Sequence, residues 1–157
     1  MKQFLFLLII CMLSSCGSRK NETSDLLVGT WSNTFMKIEM NTYKGKDTIN
    51  VLEVNESNWE GKMGIKPIIT YFKEDGTYNS EHRNLNDSII YNPAGKWEIV
   101  GDTLLMKDTF PQIGLNYKYK LLISKQRDKV TAEFWGIEDF DQDGKKDDVY
   151  YGKQRKF

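Results

Sequence analysis

Carboxylates are concentrated in one stretch near the end of the chain, EDFDQDGKKDD at residues 138–148. Read from Asp139, the spacing is Asp-x-Asp-x-Asp-Gly-x-x-Asp. Calcium binds six to eight oxygen ligands, and aspartates at alternate positions of a tight loop can turn their carboxylates to one side. Gly144 permits a sharp bend, Lys145 can offer its main-chain carbonyl, and Asp147 can complete the set. The spacing predicts a calcium-binding loop.

The stretch departs from an EF-hand at two points. An EF-hand has a bidentate glutamate at its twelfth position, where this chain has Tyr150, and helices flank it, whereas the flanking residues here read as strands. The spacing resembles the hairpin loops of integrin-type propeller repeats, in which an aspartate at the ninth position closes the site. This resemblance implies five ligands: the side chains of Asp139, Asp141, Asp143 and Asp147, and the carbonyl of Lys145.

A solvated hairpin that uses Asp143-Gly144 as its turn is the alternative interpretation of the same residues. Residues 138–148 hold six acidic and two basic side chains, so their net charge is 2 − 6 = −4. Clustered like charges in a folded turn repel one another, and a bound cation would offset that repulsion. The charge therefore favours calcium, in a structural role that holds the last strand in register.

The groups of a nucleophilic active site are scarce in this chain. His82 is the only histidine, and a Ser/His/Asp or Cys/His arrangement would depend on it. It lies in the polar stretch NSEHRN, where we expect an exposed residue beside a turn. The sequence has no glycine-rich phosphate loop, no His-x-x-x-His pair and no cysteine cluster. We therefore expect that the protein is not an enzyme.

Tryptophan positions divide into two kinds. Trp31 and Trp97 each follow Gly-x at the start of a predicted strand, and we expect both in the core. Trp59 lies in the irregular polar segment NESNWEGKMG, where a large ring is harder to bury. Trp59 is therefore a candidate for a ligand-binding cavity mouth or for a contact with a partner, and a place in the core is the alternative.

The elements that must position these residues are short strands. Runs rich in Val, Ile, Thr, Tyr, Phe and Trp are separated by turn signals, notably Asp75-Gly76, Gly101-Asp102 and residues 126–128. The predicted strands are 27–40, 48–55, 66–73, 77–84, 95–101, 103–109, 116–124, 129–138 and 147–156. Successive hairpins without crossover helices predict an all-β fold, an antiparallel up-and-down meander.

Side-chain alternation indicates that the meander closes. Tyr119, Leu121 and Ile123 share one face of their strand, and Trp97 and Ile99 share one face of theirs. One face of the sheet is therefore apolar and the other wetted. Closure into a barrel of about eight to nine strands would remove the unpaired sheet edges.

Three short motifs resemble known families. LVGTWSNTF at residues 27–35 resembles the Gly-x-Trp opening of lipocalins. YFKEDGTYNSE at 71–81, followed by AGKWEIVGDTLLMK at 94–107, resembles bacterial lipocalin-like lipoprotein domains. The resemblance implies a lipocalin-like, calycin-type β-barrel that takes a small ligand. It also implies that a basic residue from a late strand covers Trp31, with Arg155 as the first candidate and Arg127 as the second. By analogy with the long first loop of lipocalins, it further implies that residues 56–65 form a flexible lid over an open end.

The N-terminal residues resemble a lipoprotein signal peptide. Lys2 precedes an apolar run, residues 4–13, that is too short to span a bilayer as a mature anchor. Leu13-Ser14-Ser15-Cys16 resembles the bacterial lipobox, which implies cleavage before Cys16 and diacylation of its thiol. The predicted organisation is a signal peptide at 1–15, a flexible tether at 16–25 and a lipocalin-like barrel at 26–157.

Together these features predict a lipid-anchored protein of the cell envelope, with calcium as its structural cofactor. No Asp follows Cys16, which resembles outer-membrane sorting. We expect a monomer that contacts the membrane through the lipid on Cys16 and binds a small apolar or amphipathic ligand in its barrel. The alternative is a non-catalytic interaction or structural module whose barrel is filled by its own aromatic residues. Equal numbers of acidic and basic residues, 22 each, argue against nucleic-acid binding.

Overall fold

The computed structural model describes residues 22–157. The predicted signal peptide and Cys16 lie outside the described residues. Ten strands follow in chain order: β1 (Gly29–Met40), β2 (Asn50–Asn55), β3 (Ile69–Phe72), β4 (Thr77–Arg83), β5 (Ile89–Tyr91), β6 (Ala94–Val100), β7 (Thr103–Phe110), β8 (Asn116–Gln126), β9 (Lys129–Glu138) and β10 (Asp148–Lys156). The helices are α1 (Glu22–Leu27) and α2 (Trp59–Met63), with a 3₁₀ turn at Tyr43–Gly45.

All strand pairs are antiparallel, and the sheet closes on itself. Its order is β10-β9-β8-β7-β6-β4-β3-β1-β2, and β1 also pairs with β10 from Trp31 to Glu39. β2 and β3 lie end to end along one edge of β1, and β5 and β6 lie end to end along one edge of β4. The barrel therefore has eight positions with two extra strands, which confirms the predicted antiparallel meander and is consistent with a calycin-type fold.

The predicted hairpin turns are present, and the up-and-down order places them at one end of the barrel. Asp75 accepts hydrogen bonds from the main-chain N and the hydroxyl of Thr77 at 2.9 and 2.6 Å, and Gly76 has a φ of 76°. Gly101 and Arg127 also have positive φ at the β6–β7 and β8–β9 turns. We call this end, which α1 covers, the closed end. The opposite loop end carries the longer connections 41–49, 84–88, 111–115 and 139–147.

Aromatic side chains fill the closed end. Trp31, Phe72, Trp97 and Phe134 form one buried cluster with Leu27 of α1. The Trp31 indole N–H donates to the Leu27 carbonyl at 2.6 Å, which fixes α1 over the barrel. Trp31 and Trp97 are therefore core residues, as predicted. The predicted tether, residues 16–25, overlaps this helix from Glu22 onward.

Lys156, rather than Arg155, is the basic residue that covers Trp31. Its Nζ lies 5.7 Å from the centre of the Trp31 ring and donates to the Leu26 carbonyl at 2.8 Å. Arg155 instead forms an exposed ion pair with Glu56 at 3.0 Å. Successive side chains of a strand point to opposite faces, so only one of these two neighbours can point inward. The expectation for Arg155 was wrong by one position.

No helix within residues 22–157 is long and apolar enough to cross a membrane.

Candidate ligand cavity and acidic loop

Between the closed-end core and the loop end, the barrel contains a partly open cavity of about 280 Å³. Eighteen of the residues within 22–157 line it, and nine of these have aromatic rings, so the walls are largely aromatic. The lining comprises Asn33, Met36, Ile68, Thr70, Phe72, Tyr78, Ser80, His82, Tyr91, Pro93, Met106, Asp108, Tyr117, Tyr119, Phe134, Phe140, Tyr150 and Gln154. Phe72 and Phe134 belong to both the lining and the closed-end core, so that core forms the cavity floor.

A buried carboxylate lies in the cavity wall. Asp108, on β7, is only 2 % exposed. The Tyr78 hydroxyl donates to its Oδ1, and the Tyr117 hydroxyl donates to its Oδ2 at 3.3 Å. Burial is the main cause that raises the pKa of Tyr78 far above its usual range and the pKa of Tyr117 to about 12. Both phenols therefore stay protonated and serve as donors to the carboxylate at neutral pH.

Sequence reasoning missed Asp108, although a signal for it exists. β7 turns Leu104 and Met106 inward, and Asp108 is the next residue of the same alternation. A charged residue at an inward position breaks the apolar pattern, which is a mark of a functional site. Its partner Tyr78 lies thirty residues earlier on β4, so no local motif joins the two.

Other polar groups complete the lining. Gln154 donates through Nε2 to the side-chain oxygen Oδ1 of Asn33 at 3.0 Å, and the hydroxyls of Thr70 and Ser80 are 2.9 Å apart. Gln154 Oε1 is buried and has no hydrogen-bond partner among residues 22–157. The cavity thus keeps one acceptor without a donor from the described part of the chain.

His82 lies in the cavity wall rather than on an exposed turn. It is half-buried and meets the Tyr91 ring edge-on, with 5.1 Å between ring centres. Burial lowers the pKa of the imidazole, so His82 is mainly neutral at pH 7. The expectation of an exposed histidine was wrong, because His82 lies on the same face of β4 as Tyr78 and Ser80, which also line the cavity, and it pairs with Tyr91 of β5.

The structure places Trp59 differently from the predicted cavity mouth. Its side chain is fully buried with Met36, Ile38 and Val54, and it is not among the residues that line the cavity. It opens the short helix α2 between β2 and β3. Its indole N–H is buried without a partner among the described residues. Trp59 therefore belongs to a second core cluster that anchors the 56–65 segment to the barrel.

The acidic loop joins β9 and β10 at the loop end. One carboxylate oxygen from each of Asp139, Asp141 and Asp148 lies within 4.8 Å of the other two. Asp139 and Asp141 were in the predicted calcium set, whereas Asp148 was not. Asp148 is fully buried, and it accepts main-chain hydrogen bonds from Asn41 at 2.9 Å, Phe140 at 2.6 Å and Asp141 at 3.2 Å. Its carboxylate therefore joins the loop to the end of β1.

Thr42 connects the remaining predicted ligands. Its hydroxyl lies 3.1 Å from carboxylate oxygens of both Asp143 and Asp147, and the second oxygen of Asp147 is buried without a partner within residues 22–157. The main-chain N–H of Lys145 donates to Asp143 at 2.9 Å, and this bond is the main cause that lowers the pKa of Asp143. The Lys145 side chain is exposed, and its Nζ lies 4.0 Å from Asp143 Oδ2.

No protein-family model matches this chain, and no curated protein matches it significantly. A barrel of this kind hosts many unrelated functions, so fold alone does not assign one. The functional argument therefore depends on the cavity and the acidic loop themselves.

Proposed function

We propose that this chain is a lipid-anchored binding protein of the cell envelope that holds, without transforming, a small amphipathic ligand in its barrel. The cavity of about 280 Å³ carries this proposal. It combines largely apolar walls with a few fixed polar groups, which is the usual composition of a small-molecule site. The closed end is filled by Trp31 and Trp97, and the cavity lies above them within the barrel.

The lipid anchor is the second part of the proposal. Leu13-Ser14-Ser15-Cys16 supports it through its resemblance to the lipobox. Pairing of β1 with β10 completes the barrel between residues 29 and 156. Barrel closure therefore does not depend on the residues that the signal would remove.

A matched pair of serine variants tests ligand binding. Ser80 is buried in the cavity lining, and Ser80→Leu should fill space that the ligand needs. Ser124→Leu, at an exposed position of β8, is the control. Native mass spectrometry of the protein purified from its own membranes should show a retained small molecule in wild type and Ser124→Leu, and none in Ser80→Leu. A wild-type protein that carries nothing and does not bind the amphipathic dye 8-anilinonaphthalene-1-sulfonate would contradict the proposal.

An interaction module is the second candidate function. Large apolar side chains are exposed on or beside loops at the loop end, among them Ile113, Ile90 and Phe110 at 86 %, 58 % and 60 %. Exposed apolar side chains at one end of a barrel can mark a contact surface. Under this alternative the cavity would be incidental, and the Ser80→Leu variant would behave like its control.

We also propose that the acidic loop binds calcium through Asp139, Asp141, Asp143 and Asp147 and the carbonyl of Lys145. One observation of the proposed set itself supports the site: an oxygen of Asp147 is buried without a partner in residues 22–157. The carboxylates of Asp139 and Asp141 also lie close together, but the third carboxylate within 4.8 Å of them belongs to Asp148, which is outside the proposed set. A bound cation would neutralise the clustered charge. It would also tighten the contact with the β1–β2 loop, where the Lys44 main-chain N–H donates to Asp141 at 2.5 Å.

Thermal melting with and without calcium tests this site. A loop without a bidentate glutamate should bind weakly, on the order of 0.1–1 mM, so the melting temperature should rise at millimolar calcium. Asp141→Ala should abolish the calcium-dependent rise, while Asp128→Ala, at an exposed turn of the closed end, should keep it. An unchanged wild-type melting temperature at millimolar calcium would exclude the proposed site.

A further inference from the structure

The charge of the cavity is unbalanced. Asp108 is the only carboxylate in the lining, and none of the eighteen lining residues is a lysine or an arginine. A carboxylate has about four acceptor positions, and the hydroxyls of Tyr78 and Tyr117 occupy two of them. A buried charge is costly unless it is paired as well as hydrogen-bonded. Asp108 therefore retains capacity for a donor that carries positive charge.

A second side chain in the lining, Gln154, also has an acceptor without a donor from the described part of the chain. Gln154 uses its amide N–H for Asn33, which leaves Oε1 as a buried acceptor without a partner among residues 22–157. Buried polar atoms are nearly always hydrogen-bonded in folded proteins. The free positions on the Asp108 carboxylate and on Gln154 Oε1 are all hydrogen-bond acceptors. A ligand that satisfies them must therefore supply N–H or O–H donors.

The aromatic walls narrow the ligand class further. Tyr117 and Tyr119 are stacked with 6.2 Å between ring centres, and His82 and Tyr91 meet edge-on. Aromatic faces attract ammonium groups, and desolvation strengthens that attraction. His82 does not oppose a cation, because burial lowers the pKa of its imidazole. The volume of about 280 Å³ equals that of on the order of ten water molecules, which limits the ligand to about one ring and a short chain.

We propose that the cavity selects a small organic ammonium compound, whose nitrogen pairs with Asp108 and whose carbon skeleton packs against the aromatic walls. This inference rests on the proposed ligand-binding function and specifies its ligand class. The nitrogen donates to a free acceptor position of the carboxylate. A ligand with a further donor also satisfies Gln154 Oε1. An anionic ligand meets an uncompensated carboxylate and is rejected.

Three probes that differ only in their terminal group test the selection: 2-phenylethylammonium, 2-phenylethanol and phenylacetate. Isothermal titration of the full-length protein, extracted in detergent and freed of endogenous ligand, should show the ammonium compound binding about tenfold or more tightly than the alcohol, because hydrogen bonds to charged groups are the stronger ones. Phenylacetate should bind most weakly. Equal binding of the alcohol and the ammonium compound, or tighter binding of phenylacetate, would overturn the proposal.

The outcomes separate this inference from the function on which it rests. If none of the three probes binds while native mass spectrometry shows a retained molecule, the cavity binds another class and the ammonium inference alone fails. If neither a probe nor a native ligand is found, both fail. These comparisons use wild-type protein, so they decide the question even where a variant does not fold.

Variants locate the selection at Asp108. Asp108→Asn should lower affinity for 2-phenylethylammonium about tenfold and leave affinity for 2-phenylethanol nearly unchanged, whereas the exposed control Asp128→Asn should change neither. Gln154→Met, which removes the unpaired acceptor, should lower the ammonium affinity by a smaller factor. A folded Asp108→Asn protein that keeps wild-type discrimination between the two probes would refute the assignment.

Discussion

At the scale of single residues, alternation along β10 decides which side chains enter the barrel. Tyr150 and Gln154 line the cavity, and Lys156 reaches the closed-end core. The odd-numbered Arg155 points away and pairs with Glu56. Lys156 and Arg155 therefore have different environments, and we expect them to contribute differently to the free energy of unfolding.

Lys156 should matter more for stability than Arg155. Lys156→Ala removes a charged hydrogen bond to Leu26 and a cation–π contact with Trp31, and we expect a loss of about 1–2 kcal/mol. Arg155→Ala removes an exposed ion pair and should cost about 0–1 kcal/mol. Urea unfolding of both variants measures the difference. A larger loss for Arg155→Ala would show that Arg155 is the basic cover of Trp31 after all.

His82 should make the fold sensitive to mild acid. Burial lowers the pKa of His82 in the folded protein, whereas in the unfolded chain it is about 6.5. As pH falls through about 6.5, the unfolded chain binds the proton first, so folding stability declines until the folded-state pKa is passed. Between pH 7.5 and 5.5 the melting temperature of wild type should fall by more than that of His82→Gln. Parallel decreases in the two proteins would contradict this assignment.

At the scale of elements, β6 and β7 support both the core and the cavity. Gly95 lies at a register shift between these strands. A Cβ at this position would overlap the Lys107 carbonyl oxygen and come within 2.9 Å of the Tyr78 ring. Tyr78 also donates a hydrogen bond to Asp108. The absence of a side chain at Gly95 therefore allows close packing of β6 against β7 and also leaves room for the Tyr78 ring in the cavity wall.

Gly95→Ala should therefore separate β6 from β7. We expect a loss of about 2–4 kcal/mol, since the obstructing atom belongs to the main chain and cannot move freely. Gly61→Ala is the matched control: it lies in α2 with open space around its Cβ, and it should stabilise by about 0.5–1 kcal/mol through helix propensity. Guanidinium unfolding compares the two. Similar stability of Gly95→Ala and wild type would mean that the strands tolerate wider spacing.

At the scale of the whole molecule, the features that could be predicted from the sequence are those that depend on residues close together in the chain. Asp75-Gly76 identifies its hairpin because the turn chemistry is local, and alternation around Leu121 identifies its inward face. The alternation of β7 could have placed Asp108 on the inward face, but its pairing with Tyr78 could not be predicted, because Tyr78 lies thirty residues earlier on β4. The position of Trp59 was left open for the same reason, since its core partners lie on other strands. Long-range closure, rather than strand formation, created the candidate site.

The proposed lipid anchor also concerns the whole molecule, because the described chain enters the barrel through α1 at the closed end. An acyl group on Cys16 would attach the protein by this end and leave the cavity mouth and the acidic loop on the far side. In a bacterial host, wild type should incorporate radiolabelled palmitate and sediment with membranes.

Cys16→Ala should lose both the label and the membrane association, whereas Cys11→Ala, the only other cysteine substitution possible, should keep both. Circular dichroism of the released Cys16→Ala protein should match that of wild type, because residues 29–156 close the barrel without the lipid. Palmitate on Cys16→Ala but not on Cys11→Ala would move the modification to Cys11. Such a result would contradict cleavage before Cys16, since the acylated residue would then lie within the predicted signal peptide.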